Sequence, residues 1–86
     1  MPRISEFYGI VIYMYYQDHP PPHFHAIYGS DEAIVGVRSS RVLAGGLPKR
    51  AISLVRTWTR LHREDLLANW ELARNAEPLR AIAPLD

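Results

Sequence analysis

The fold is decided by one short stretch of the sequence, Asp18-His19-Pro20-Pro21-Pro22-His23-Phe24-His25. Consecutive prolines lack backbone donors and hold the chain extended, so neither a helix nor a strand runs through them. The segments on either side are therefore predicted to be two strands joined by a turn over residues 17–22. Three of the four histidines lie in this stretch, and any chemistry is expected to involve it.

Working outward, the flanking residues are rich in the β-branched and aromatic types that favour strands. Residues 4–7 and 10–16 are predicted to form one strand region that is interrupted near Gly9. Residues 23–28 form the returning strand, residues 28–31 a second turn, and residues 33–38 a third strand. A short fourth strand is expected over residues 41–44.

Side chains alternate between the two faces of a strand, which separates the histidines from the apolar residues. Ile10, Ile12 and Met14 share one face. If Tyr15 lies opposite His23, then Tyr13 lies opposite His25, and a tyrosine–histidine cluster forms on the other face. We interpret that face first as an interface, which in so small a chain suggests a homo-oligomer.

The second half of the chain has helical spacing. Pro48 suits the first turn of a helix, and apolar residues recur at helical intervals from Ile52 to Ala73. A polar run over residues 62–65 predicts either one long bent helix or two helices. Residues 79–82 alternate and predict a short C-terminal strand. We therefore expect a single α+β domain over residues 1–86, with three to four N-terminal antiparallel strands covered on one face by helix.

Composition restricts the class of protein. The 86 residues contain no cysteine, which excludes disulfides and thiolate metal sites. The N-terminus lacks the pattern of a secretory signal, and the longest apolar run is too short to cross a bilayer. A cytoplasmic protein without membrane contact is expected.

Charge is distributed unevenly, although the formal net charge is only +1. The segment from Arg38 to Arg63 has no acidic residue. The basic residues of the predicted helix are spaced so that they lie along one of its faces; they are Lys49, Arg56, Arg60 and Arg63. Such a row suits a phosphate backbone or an acidic partner. The candidate RNA, DNA or partner-binding residues are Arg38, Arg41, Arg56, Arg60 and Arg63, with Lys49 on the same helix face and Tyr13 and Tyr15 on the sheet.

Two further interpretations of the histidines remain open. His23 and His25, with His62, are candidates for acid–base catalysis in a metal-independent ribonuclease. Alternatively, His23 and His25 share a strand face and are the residues that would bind a metal. Because no carboxylate or cysteine lies at a recognised motif spacing from them, the sequence assigns no cofactor.

Several short motifs along the chain together resemble a known family. They are Ile4-Ser5, Phe7-Tyr8-Gly9-Ile10, Asp18-His19, Pro21-Pro22-His23-Phe24-His25, Leu47-Pro48, Leu61-His62-Arg63-Glu64, Asn69-Trp70-Glu71-Leu72-Ala73 and Pro78-Leu79. The chain resembles the prokaryotic domain of unknown function 4160. One departure is that the third strand has Gly36 and Arg38 where acidic or larger residues are expected, which makes an acidic site there doubtful.

The resemblance implies a partner rather than a reaction. Members of this family are often encoded beside a second uncharacterised family, domain of unknown function 2442, and toxin–antitoxin roles have been suggested for such pairs. The resemblance assigns no catalytic residue. It favours a component of a two-protein bacterial module that binds the protein encoded nearby and, in addition, nucleic acid.

Overall fold

An antiparallel sheet and two helices make up the fold, which a computed structural model describes for residues 2–86. The elements in chain order are β1 Arg3–Phe7, β2 Ile10–Tyr13, β3 His23–Tyr28, β4 Asp31–Gly36, β5 Val42–Gly45, α1 Lys49–Leu61 and α2 Arg63–Arg74. The strands lie in the sheet in the order of the sequence. The predicted α+β class is confirmed, but the count of three to four strands is wrong, because the sheet has five.

The additional strand arises at the turn between β1 and β2. Phe7 pairs directly with Ile10, which leaves only Tyr8 and Gly9 to reverse the chain. Both have positive φ, 50° for Tyr8 and 78° for Gly9, as a two-residue type I′ turn requires. The glycine therefore marks a complete reversal of direction rather than an interruption of one strand.

The segment between β2 and β3 is longer than the predicted turn. β2 ends at Tyr13, and the Met14 amide donates to the carbonyl of Pro2 at 3.2 Å rather than to β3. The Gln17 amide donates to the carbonyl of Ala73 at the end of α2, at 3.1 Å. The peptide bond between Pro20 and Pro21 is cis. This loop is therefore attached to both the N-terminal segment and the second helix.

The register between β2 and β3 decides which side chains meet. Tyr13 pairs with His25, as predicted. This is the register considered from the sequence, but the ladder ends at this pair and does not extend to Tyr15 and His23. Because the backbone leaves the ladder at Met14, Tyr15 contacts the ring of His25 instead.

One face of the sheet is closed by the helices. Trp58 of α1 is fully buried and contacts the rings of Phe7 and Phe24, with centroids 5.2 and 5.7 Å away. The remaining fully or nearly fully buried apolar residues of this core include Ile10, Ile12, Met14, Ala26, Ala33, Val35, Val55 and Leu66. The apolar alternation predicted for β2 is confirmed by this packing.

The helical half consists of two helices that meet at His62. The His62 amide donates to the carbonyl of Trp58 at 3.0 Å, and its own carbonyl accepts from Leu66 at 2.9 Å. Glu64 and Asp65 lie in the first turn of α2, where negative charge is favoured by the helix dipole. Of the two predicted arrangements, the structure has two helices. Neither described helix is long and apolar enough to span a membrane.

The described C-terminal residues form no strand, so the strand predicted over residues 79–82 is wrong. A single ladder-like bond remains, from the Ile82 amide to the carbonyl of Ile4 at 2.8 Å. Pro78 and Pro84 flank this segment and supply no donors. Instead, the side chain of Asn69 binds both backbone groups of Arg80, at 2.8 and 3.0 Å. The tail therefore lies across α2 and reaches the outer edge of β1.

Candidate functional site

Two histidines at the start of β3 form the centre of the candidate site. His23 follows the prolines directly, and His25 lies two residues further along the same strand. Both are nearly buried, with 8% and 9% of their surface exposed. The open interface face predicted from the sequence is therefore a covered site at these two positions.

His23 is held through both ring nitrogens. Its Nδ1 lies 2.8 Å from the carbonyl oxygen of Pro21, which only accepts, so Nδ1 donates this bond. Its Nε2 lies 2.9 Å from Oδ2 of Asp18. The ring packs against Trp70 of α2, with centroids 5.1 Å apart.

His25 is fixed through one nitrogen only. Its Nδ1 lies 2.9 Å from Oε2 of Glu32 and donates to that carboxylate. Its Nε2 is buried and has no hydrogen-bond partner among residues 2–86. The nearest carboxylate oxygen, Oδ2 of Asp18, lies 3.6 Å away. The ring of Tyr15 meets the imidazole edge to face at a centroid distance of 4.3 Å.

Asp18 links the two histidines. Its Oδ1 accepts the backbone N–H of His19 at 2.8 Å, which leaves Oδ2 for the two imidazoles. Burial alone raises the pKa of this carboxyl, but the hydrogen bonds from the His19 amide and His23, with the charge of His23, bring the pKa below its ordinary value. Asp18 is therefore an anion at neutral pH.

Tyr15 borders the same cluster from the other side. Burial raises the pKa of its hydroxyl, and the negative charges of Glu32 and Asp18 raise this pKa further. Tyr15 therefore stays a neutral phenol at neutral pH.

The structure brings together three atoms that can act as metal ligands. One ligand atom from each of Asp18, His23 and His25 lies within 4.8 Å of the others. Two imidazoles and one carboxylate at this separation can exchange a proton, or they can jointly hold a cation.

His62 does not belong to this cluster. Its ring packs on Trp58 with centroids 5.7 Å apart, and its Nδ1 lies 3.4 Å from Asp65. Trp58 contacts Phe24 on the helix-covered face of β3, whereas His23 and His25 alternate to the other side. The predicted set of three histidines is thus divided between two places in the molecule. Tyr13 is paired with His25 in the ladder and is half-buried.

The predicted basic residues are also divided. Lys49, Arg56 and Arg60 are exposed on α1 and line one open groove together with Ser53 and Thr57. Within the described chain, none of the three basic residues forms an ion pair.

The other predicted basic residues lie elsewhere. Arg38 and Arg41 are exposed between β4 and β5, away from the α1 groove. Arg63 donates to the carbonyl of Val37 at 3.0 Å and to Oγ of Ser40 at 2.7 Å. Arg63 therefore attaches the start of α2 to the segment after β4. Two of its guanidinium nitrogens already donate hydrogen bonds within the protein.

Sequence reasoning missed Asp18 and Glu32 as site residues. Asp18 was assigned to the turn, because its approach to His23 depends on the path of the proline loop. A signal for Glu32 was present. Once Gly29 and Ser30 form a two-residue turn, Glu32 pairs with Ile27, which lies on the same strand face as His25.

The chain matches one known protein family over the part that contains this site. The family described as a domain of unknown function (DUF4160) matches residues 9–71, which is more than half of the chain and includes the complete cluster. The chain belongs to this family. The match covers β2 to β5, all of α1 and most of α2.

No curated protein and no solved structure gives a significant match to the chain.

Proposed function

We propose that this protein is a nucleic-acid-binding component of a two-protein bacterial module, and that it contacts the phosphate backbone through α1. The observation that supports this best is the groove of Lys49, Arg56 and Arg60. These three cations lie on one helix face, and none is neutralised by an ion pair within residues 2–86.

The local composition strengthens this electrostatic argument. Because no acidic residue occurs between Arg38 and Arg63, the field of the groove is not cancelled by its neighbours along the chain. Lys49 and Arg60 are separated by about 16 Å along the helix at 1.5 Å per residue. Ser53 and Thr57 lie between them and offer hydroxyl donors of the kind that bind phosphate oxygens.

Among residues 2–86, β5 is the more open of the two edge strands and the better place for a partner strand. At the outer edge of β1, Ile82 donates to Ile4, which covers part of that edge. At the other end of the sheet, β5 exposes Val42 and Leu43 by 38% and 48%. An uncovered apolar edge strand is a template for strand addition. We therefore propose that the module's partner protein adds a strand to β5.

Nucleic-acid binding is tested by titrating labelled RNA and DNA oligonucleotides of equal length at several salt concentrations. Three phosphate contacts predict that log K falls with log salt with a slope of about −2 to −3. The double variant Arg56→Ala/Arg60→Ala is expected to lose most of that slope. A matched control, Arg3→Ala/Arg74→Ala, removes two exposed arginines that already pair with Glu6 and Glu71, and should bind as the wild type does.

Two results would reject this proposal. One is the absence of salt-dependent binding, and the other is an equal loss in the control variant. If the groove binds the partner protein and not nucleic acid, the oligonucleotides should not bind. Arg56→Ala/Arg60→Ala should then reduce the affinity for the partner protein. Light scattering on wild type and Leu43→Lys tests whether a second copy of this chain occupies β5, because a dimer formed through β5 should dissociate when exposed Leu43 is charged.

A second candidate function follows from the Glu32–His25 contact at 2.9 Å. A carboxylate that orients an imidazole through one nitrogen leaves the other nitrogen to act as a general base. His25 is therefore the candidate base, and His23 the candidate acid, of a metal-independent ribonuclease. Such cleavage should persist in excess chelator and disappear in His23→Ala and His25→Ala. His62→Ala should have no effect, because His62 lies at the helix junction. Cleavage that survives both strand variants would exclude this candidate.

A further inference from the structure

The hydrogen-bond pattern at His23 is incomplete without a positive charge. Nδ1 carries its proton, because it donates to the carbonyl of Pro21. In a neutral imidazole, Nε2 then has only a lone pair. That lone pair faces Oδ2 of the Asp18 carboxylate at 2.9 Å. The contact is satisfied either by a second proton on the ring, which makes His23 a cation that donates to Asp18, or by a metal ion in the place of that proton.

His25 repeats the same pattern. Nδ1 donates to Glu32, so the Nε2 lone pair of the neutral ring also points into the cluster. Nε2 is buried and has no hydrogen-bond partner in the described chain. A proton on Nε2 would not resolve this, because Oδ2 of Asp18 at 3.6 Å is beyond hydrogen-bond distance. One cation placed among the three atoms would satisfy both imidazoles and the carboxylate.

The distances fit such a cation. Zinc–nitrogen and zinc–carboxylate bonds are about 2.0–2.2 Å long, so neighbouring ligand atoms lie about 3 to 3.5 Å apart around one ion. The two imidazole nitrogens lie 2.9 and 3.6 Å from Oδ2 of Asp18. All three ligand atoms lie within 4.8 Å of one another, so the two histidine nitrogens and the carboxylate oxygen can approach one centre by rotation of their side chains.

The outer nitrogens of both rings have the partners that metal-binding histidines usually have. A histidine ligand almost always donates its other N–H to a carboxylate or a backbone carbonyl, which fixes the tautomer and aims the free nitrogen. Glu32 does this for His25, and the Pro21 carbonyl does it for His23. The ring of Tyr15 packs on His25, and Trp70 packs on His23, so both imidazoles are held before an ion arrives.

We propose that Asp18, His23 and His25 form a binding site for a divalent first-row transition-metal ion such as Zn²⁺. Two imidazoles and one carboxylate favour this class over Mg²⁺ or Ca²⁺, which prefer oxygen ligands. Three protein ligands leave at least one coordination position for water or a substrate. A surface cavity lined by Asp18, Pro20, Trp70 and Arg74 adjoins the carboxylate and gives an ion a route from solvent. The inference does not depend on the groove of α1.

The test is calorimetric titration of the untagged chain with Zn²⁺, and separately with Mg²⁺. One Zn²⁺ per chain is expected, with Mg²⁺ binding far more weakly. Asp18→Asn removes the anionic ligand at almost unchanged volume and should weaken Zn²⁺ by at least about 100-fold. Glu32→Gln removes only an outer partner and should cost about 10- to 100-fold. His19→Ala changes an exposed neighbouring histidine and should leave affinity unchanged.

Circular dichroism of each variant checks whether the fold is retained. If Asp18→Asn folds poorly, Glu32→Gln still tests the proposal. Failure of the wild-type chain to bind Zn²⁺ would overturn the proposal. Zn²⁺ binding that survives Asp18→Asn, or that is lost in His19→Ala, would also overturn it. A graded loss from Glu32→Gln to Asp18→Asn, with His19→Ala unaffected, would support it.

Discussion

The two sides of β3 differ in how their burial is compensated. Phe24 and Ala26 are fully buried against the helix-covered core, which is filled mainly by apolar side chains. His23 and His25 alternate to the other side and are almost as buried. There, burial requires hydrogen-bond partners, and one ring nitrogen has none within residues 2–86. Apolar packing accounts for the burial of the first pair, whereas the two histidines depend on hydrogen bonds to groups outside β3.

This difference separates stability from function along one strand. A natural chain of this size has little free energy of folding to lose, and we explain the unpartnered Nε2 of His25 by its proposed role as a ligand atom for a metal ion. Changes on the two sides should therefore have different consequences, and the largest effect on folding is expected on the core side.

Phe24→Ala is expected to lower the free energy of unfolding by about 3–5 kcal/mol, because it removes a ring in contact with Trp58 and leaves a cavity. Urea denaturation followed by tryptophan fluorescence measures the loss. If the alanine variant is unfolded, Phe24→Leu gives a smaller loss that can still be measured. A cost below about 1 kcal/mol for Phe24→Ala would contradict the packing described for this side.

Metal binding should produce the next largest effect, this time on the polar side. A ligand that binds only the folded chain stabilises it by about 2.7 kcal/mol at 100 times its dissociation constant. Zn²⁺ at that excess should raise the urea midpoint of the wild-type chain, and a chelator should reverse the shift. An unchanged midpoint would mean that the cluster does not bind the ion.

Much of the core side could be predicted from the sequence, because alternation and helical spacing are local signals. Ile10, Ile12 and Met14 were correctly placed on one strand face, and that face packs into the core. The additional strand was missed because Tyr8-Gly9 is a less familiar two-residue turn than Asn-Gly. The C-terminal strand was wrong because the tail is held mainly by the side chains of Asn69 and Trp58, and alternation does not reveal such contacts.

The polar side was harder to predict, because its geometry depends on contacts distant in sequence. Tyr13 was correctly placed opposite His25. The path of the prolines brings Asp18 to His23, and Trp70 of α2 reaches the same ring. Neither contact follows from periodicity.

Arg63 offers a test of a polar contact on the helix side. Arg63→Ala should cost about 1–3 kcal/mol, because it removes two hydrogen bonds and leaves the carbonyl of buried Val37 without this donor. Thermal or urea unfolding would show the loss. If stability is unchanged while nucleic-acid binding falls, Arg63 acts in recognition and its assigned structural role is wrong.

The smallest effect on stability is expected in the α1 groove. Arg56→Ala/Arg60→Ala should change the free energy of unfolding by no more than about 0.5 kcal/mol, because both side chains are exposed and outside any ion pair in the described chain. A larger loss would mean that these arginines support the fold and that their charges are not free for a ligand.

The most direct test of the proposed metal site compares the urea unfolding of wild type and Asp18→Asn at pH 8. Each protein is measured once with a chelator and once with Zn²⁺. The amide of asparagine at position 18 can donate a hydrogen bond to Nε2 of His23, where the wild-type carboxylate can only accept. In chelator, the variant should be within about 1 kcal/mol of wild type or more stable. In Zn²⁺, wild type should be the more stable by about 2–3 kcal/mol. If Asp18→Asn is the less stable protein by the same amount in both conditions, Asp18 only supports the fold, and the cluster is not a metal site.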